Sequence, residues 1–103
     1  SSIADAHGAQ GEVEEEVRAY EEARRILELT GTLETKDGAL VLTNLGLAHG
    51  KNGNPKAELE VFELAKKVRE KTGTAQTAEG KKLAATIHLL KMNAKKAAAK
   101  AKA

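Results

Sequence analysis

GALVLTNLGLAHGKNGNPKAELEVFELAKKVREKTG, residues 38–73, reads as two helices joined by a short turn. From Ala39 to Lys51, Leu42, Leu45 and His49 fall on one stripe spaced by three and four residues. That spacing keeps side chains on one side of a helix. Leu40, Thr43, Asn44 and Leu47 form a second stripe, and two stripes mean contact on more than one side. Gly50, Asn52 and Gly53 are expected to break this helix, because glycine and asparagine tolerate the left-handed geometry of a helix stop. Asn54 is expected to cap the next helix, with Pro55 in a first turn where no N–H is needed. From Lys56 to Thr72, Leu59, Val61, Phe62, Leu64, Ala65 and Val68 supply a buried face. Lys66, Lys67, Arg69 and Lys71 crowd its end, which suits the negative pole of the helix dipole. Gly73 stops it. The expectation is a helical hairpin.

The remainder of the chain copies this stretch. Ala6-His7-Gly8 recurs as Ala48-His49-Gly50, and Thr30-Gly31-Thr32 recurs as Thr72-Gly73-Thr74, both 42 residues on. Laying residues 1–42 over 43–84 without a gap gives 13 identities, among them Glu16, Ala23, Thr35 and Gly38. Tyr20 then meets Phe62, Val17 meets Leu59 and Ile26 meets Val68. A third copy starts near Gly80 and covers only a first helix, with Ile87 in the place of Leu45. Internal repeats of this period are the mark of stacked helical architectures.

Asn44-Leu45-Gly46-x-x-His49, followed by Gly53, Leu59, Phe62 and Ala65, resembles a tetratricopeptide repeat (TPR). The 42-residue period and the Arg-Glu-Lys-Thr-Gly ending at Gly73 are similar to the longer form in kinesin light chains. The resemblance implies an all-α fold: antiparallel helical hairpins stacked as a short TPR-like α-solenoid of about five helices. The repeats would occupy residues 1–37, 38–79 and, in part, 80–92. It also implies a concave face lined by the first helix of each hairpin, here Asp5, Leu40, Thr43, Asn44, Leu47, Lys82, Thr86 and Leu89. In the kinesin light chain type, an asparagine at the place of Asn44 bonds the backbone of a bound peptide, whereas Ser2 and Thr86 stand there in the other copies. Asn44 offers both a donor and an acceptor, as an extended backbone requires. Leu47 and Leu89 would be apolar anchors for a partner, or would pack against the chain's own helices.

Two positions depart from that family. It usually has an aromatic where His7 and His49 stand, and an alanine where Glu16 and Glu58 stand. Each His–Glu couple is expected either to meet across its own hairpin in a charge-assisted hydrogen bond, or to reach solvent separately.

Along the chain, helix one is expected over residues 1–10, a turn at Gly11, and helix two from Val13 to Leu29 with Val17, Tyr20, Ala23 and Leu27 inward. Polar connectors follow at Thr30 to Asp37 and Thr74 to Glu79. Helix five begins near Glu79 and runs into residues 93–103, NAKKAAAKAKA, a tail that can be helical without being packed. Ser1 aligns with Thr43, inside a helix, so the chain reads as processed at its start or cut from a longer array.

Composition narrows the function. With 103 residues the chain is one domain, but 19 of its 42 apolar residues are alanine and its aromatics are Tyr20 and Phe62. A thin core of this kind suits stacked hairpins, which need to touch only their neighbours, and docking onto something larger would add stability. Without cysteine there is no disulfide or thiolate chemistry. No apolar run approaches the ~20 residues that span a bilayer, so a soluble chain is expected and its compartment is left open. His7 and His49 are repeat equivalents and so about 10 Å apart, too far to share one metal. No phosphate loop and no acid–base pair stand out, so neither a cofactor nor an enzyme is expected.

Charge is unevenly placed. Residues 1–37 carry ten acids and four bases, and residues 38–103 carry five acids and thirteen bases. From Gly80 onward there are seven lysines and one fewer acid than the preceding connector supplies, namely none. Lys91, Lys95, Lys96, Lys100 and Lys102 form either a solvated helix end or a basic patch for RNA or an anionic membrane surface. The tail has no arginine and no aromatic, which serves base stacking poorly. The leading expectation is a protein–protein interaction module, an adaptor or scaffold within a larger assembly, with electrostatic docking through the tail as the alternative.

Overall fold

The computed structural model describes residues 2–102, with side chains over residues 11–97. It is all-helical, with four helices and no strand among the described residues: α1 (Ser2–Thr30), α2 (Lys36–Lys51), α3 (Pro55–Thr72) and α4 (Ala78–Lys102). Helix makes up 85% of the chain. The helices pack in chain order, α1 on α2, α2 on α3 and α3 on α4, with the most extensive contact between α2 and α3.

The central hairpin forms as its sequence requires, with one shift in the stop. α2 runs through Gly50 to Lys51, and the break falls on Asn52 and on Gly53, whose φ is +74°. Asn54 caps α3, its Oδ1 accepting from the Ala57 N–H at 3.3 Å, and Pro55 takes the first helical position. α3 ends at Gly73 in the left-handed conformation.

The core is small and central. Ala39, Leu42 and Leu45 of α2 meet Val61, Phe62, Ala65 and Val68 of α3, and Leu83 and Ile87 of α4 complete the cluster. Among the described residues of α1, half-buried Val17 and Tyr20 pack against it. Gly46 lets the two central helices close: a Cβ there would run into the Phe62 ring.

The two connectors are built alike. The Thr35 and Thr77 hydroxyls each accept from the N–H three residues on, Gly38 at 3.0 Å and Gly80 at 3.1 Å. Each also donates to a carbonyl three residues back, Thr32 O and Thr74 O, at 2.8 Å. The 42-residue offset seen in sequence is therefore also an offset in hydrogen bonding.

The first copy departs from the second, and here the sequence expectation fails. There are four helices rather than about five, because Gly11 makes no turn and the two expected helices of residues 1–29 are one, α1. The reason is local. The stop in the second copy is Gly53-Asn54-Pro55, where a cap and a helix-starting proline follow the glycine. The first copy has Gly11-Glu12-Val13, with neither. A lone glycine costs a helix about 1 kcal/mol and does not end it.

At about 1.5 Å per residue, α1 spans about 43 Å and α4 about 37 Å, and both overhang the central pair. The radius of gyration, 15.3 Å, accordingly exceeds the about 13 Å expected of a compact domain of this length. No helix among the described residues is long and apolar enough to cross a membrane.

Two substitutions separate the glycine roles in urea denaturation. Gly46→Ala is expected to destabilise by about 1–3 kcal/mol through overpacking against Phe62. Gly11→Ala, with nothing within 4 Å of the new methyl, is expected to stabilise by up to about 1 kcal/mol as a helix-interior replacement.

Candidate functional site

α2, α3 and α4 enclose a groove of about 240 Å³, lined mostly by apolar atoms. Leu40, Thr43 and Leu47 come from α2, Phe62 and Arg69 from α3, and Glu79, Lys82, Leu83 and Thr86 from α4. Helical spacing explains the gathering. Leu40, Thr43 and Leu47 lie three and four residues apart, as do Glu79, Lys82, Leu83 and Thr86, so each set shares one side of its helix.

The polar side chains of the wall are partly committed. Thr43 Oγ1 donates to Ala39 O at 2.8 Å and Thr86 Oγ1 to Lys82 O at 2.9 Å, the same bond 42 residues apart. Each hydroxyl proton is thus held by its own helix. Leu40 is 55% exposed and Leu47 49% exposed, so the rim presents apolar surface to solvent rather than packing it away. Arg69 is half-buried, and its Nε is buried with no hydrogen-bond partner among the described residues.

Of the residues expected on a concave face, Leu40, Thr43, Leu47, Lys82 and Thr86 line this groove. Asn44 is half-buried and does not line it. Leu89 is 59% exposed and is not among the residues lining the groove. The side chain of Asp5 lies outside the described residues. Sequence reading missed Phe62, Arg69, Glu79 and Leu83 as lining. Arg69 and Glu79 looked like helix-terminal charges, and Phe62 and Leu83 looked like core.

The expected His–Glu couple of the central hairpin is not made. His49 Nε2 donates instead to Glu21 Oε1 of α1 at 3.2 Å. Glu58 lies over the next residue, its carboxylate where a Cβ of Gly50 would stand. Neighbouring residues point about 100° apart on a helix, so His49 turns to α1 while Gly50 receives Glu58. Partial burial there pushes the Glu58 carboxyl above the ordinary glutamate range. Glu16 has its carboxylate 3.7 Å from Lys51 Nζ of α2. The His7 side chain lies outside the described residues.

The tail residues divide. Lys91 pairs with Glu63 of α3 at 2.9 Å, whereas Lys95 and Lys96 are exposed. The Lys100 and Lys102 side chains lie outside the described residues. Ala94 and Ala97, with Asn93, wall an apolar crevice of about 400 Å³ against Pro55, Lys56, Leu59 and Leu90. Among the described residues no group of three His, Cys, Asp or Glu is placed to hold a metal ion.

Comparison with protein-family models, with curated proteins and with solved structures finds no match for this chain.

The Glu58 environment has a pH signature. A carboxyl whose folded pKa is raised favours folding below the unfolded pKa, and that contribution is lost as pH rises through the folded value. Glu58→Gln is therefore expected to melt above the parent chain at neutral pH. The gap should close as pH falls through the ordinary glutamate range, followed by circular dichroism melts across a pH series.

Proposed function

We propose that this chain is a non-catalytic protein–protein interaction module, an adaptor, scaffold or small structural subunit, built as a short TPR-like α-solenoid of the kinesin light chain type. One observation carries the reading: an apolar groove between three helices with Leu40 and Leu47 left half-exposed on its rim. Exposed apolar side chains beside a concavity are what a partner covers, and such anchors supply most of the energy of a protein contact. The matching connector hydrogen bonds at a 42-residue offset support the repeat architecture. The Thr43 and Thr86 protons held by their own helices, and a His49 that faces α1, support binding over chemistry.

A second reading rests on the exposed Lys95 and Lys96 and on the lysine-only charge that follows Gly80. It makes the tail an electrostatic dock for RNA or an anionic membrane surface. Salt separates the two, because a lysine-driven contact weakens steeply with ionic strength and an apolar groove contact does not.

Cross-linking mass spectrometry on a tagged chain, retrieved at moderate salt, tests the proposal. Links from Lys51 and Lys82 to a single protein, lost in Leu47→Asp, are the expected result. Links confined to Lys95, Lys96, Lys100 and Lys102 that vanish with added salt would overturn the groove in favour of the tail.

A further inference from the structure

Among the described residues, each outer helix packs chiefly on one neighbour where its repeat counterpart packs on two. α3 lies between α2 and α4, and its Val61, Phe62, Ala65 and Val68 are at most 5% exposed. The same positions 42 residues earlier, on α1, are Ala19, Tyr20, Ala23 and Ile26. Ala19 is exposed, Tyr20 and Ala23 are half-buried and Ile26 is 50% exposed. α1 has the composition of an inner helix and packs chiefly on one neighbour.

α4 shows the converse. It is the counterpart of α2, which lies between α1 and α3, yet it packs chiefly on α3. Its inner face is closed by Leu83 and Ile87. Further along α4, Leu89 is 59% and Met92 44% exposed. α1 is short of a helix of the α2 type, and α4 is short of one of the α3 type.

Charge distinguishes which open face meets which. Residues 11–30 of α1 carry seven acids and three bases, and Glu12, Glu15 and Glu22 are exposed, Glu22 paired with Arg25 of the same helix. α4 carries seven lysines and the single acid Glu79, and among the lysines Lys95 and Lys96 are exposed and pair with no acid of α3 among the described residues. Two α1 faces repel, and so do two α4 faces. An α1 face and an α4 face attract, and both present exposed aliphatic side chains, Ile26 and Leu29 on one and Leu89 and Met92 on the other.

We infer that copies of this chain associate head to tail, the outer face of α4 on one copy packing against the outer face of α1 on the next. The contact is heterologous, so it continues from copy to copy instead of closing at two. It is also looser than the α2–α3 contact, because His88 and Met92 stand on α4 where α2 has Gly46 and Gly50. The groove is not part of it, so groove binding and self-association are separable.

Sedimentation velocity over a concentration series at low salt tests this. The average mass is expected to rise from the 10.9 kDa of one chain past that of two, and to fall back at high salt. Reversing α4 (Lys95→Glu, Lys96→Glu) or α1 (Glu12→Lys, Glu15→Lys, Glu22→Lys) is expected to weaken association at least about tenfold in each variant alone. Mixing the two variants is expected to restore it, since the reversed faces then complement one another. Circular dichroism confirms that each variant keeps its helices. A parent chain that stays at one-chain mass throughout, a dimer that stops at two, or a mixture that fails to recover would each overturn the proposal. Leu47→Asp, which disables the groove, is expected to leave association unchanged.

Discussion

The absence of a side chain at Gly46 is the constraint on which this structure rests. The Phe62 ring occupies the space that a Cβ there would claim, and the ring is the largest fully buried side chain among the described residues. With so few large apolar residues, the chain cannot fill a wide interhelical gap. It must bring α2 and α3 close enough for alanines, Ala39, Ala48 and Ala65, to count as core. A methyl group at residue 46 would push the helices apart and expose the small side chains that depend on their proximity.

The connectors serve that central pair from both sides. In each, a threonine hydroxyl caps the following helix while bonding back to the preceding turn. A glycine then brings the helix start against the connector backbone, Gly38 over Leu33 and Gly80 over Ala75. The same device sets where α2 leaves α1 and where α4 leaves α3. That placement puts Leu40 and Leu47 of α2 across from Lys82 and Thr86 of α4, with Phe62 between. The groove therefore follows from the connectors as much as from its own lining. The ion pairs that tie neighbouring helices, Lys51–Glu16 and Lys91–Glu63 among them, are solvent-exposed, and pairs of that kind contribute little.

How much of this was legible in the sequence varies with how local the signal is. The central hairpin was readable because stop, cap and start lie within three residues, Gly53, Asn54 and Pro55. The all-helical class was readable from periodicity. Gly11 misled because identity at one position of a repeat was taken to carry the whole turn, when the cap and proline beside it were missing. His49 misled because repeat spacing gives a residue's place along a helix but not which neighbour it faces. Five of the eight concave-face positions line one groove because spacing on α2 and α4 determines which side they share. Arg69 and Glu79 were not readable, since only the packing of α3 and α4 brings their chain ends to the groove.

Packing in strict chain order has a kinetic consequence. Each helix meets the one before it across a connector of a few residues, so native contacts join segments close in sequence and no long loop must close before they form. Chains of low contact order fold quickly. The α2–α3 pair holds most of the buried apolar surface and is the natural nucleus. α1 and α4 would then add to it independently, one from each side. Loosening one end need not disturb the other, so the ends can open to solvent while the middle stays folded.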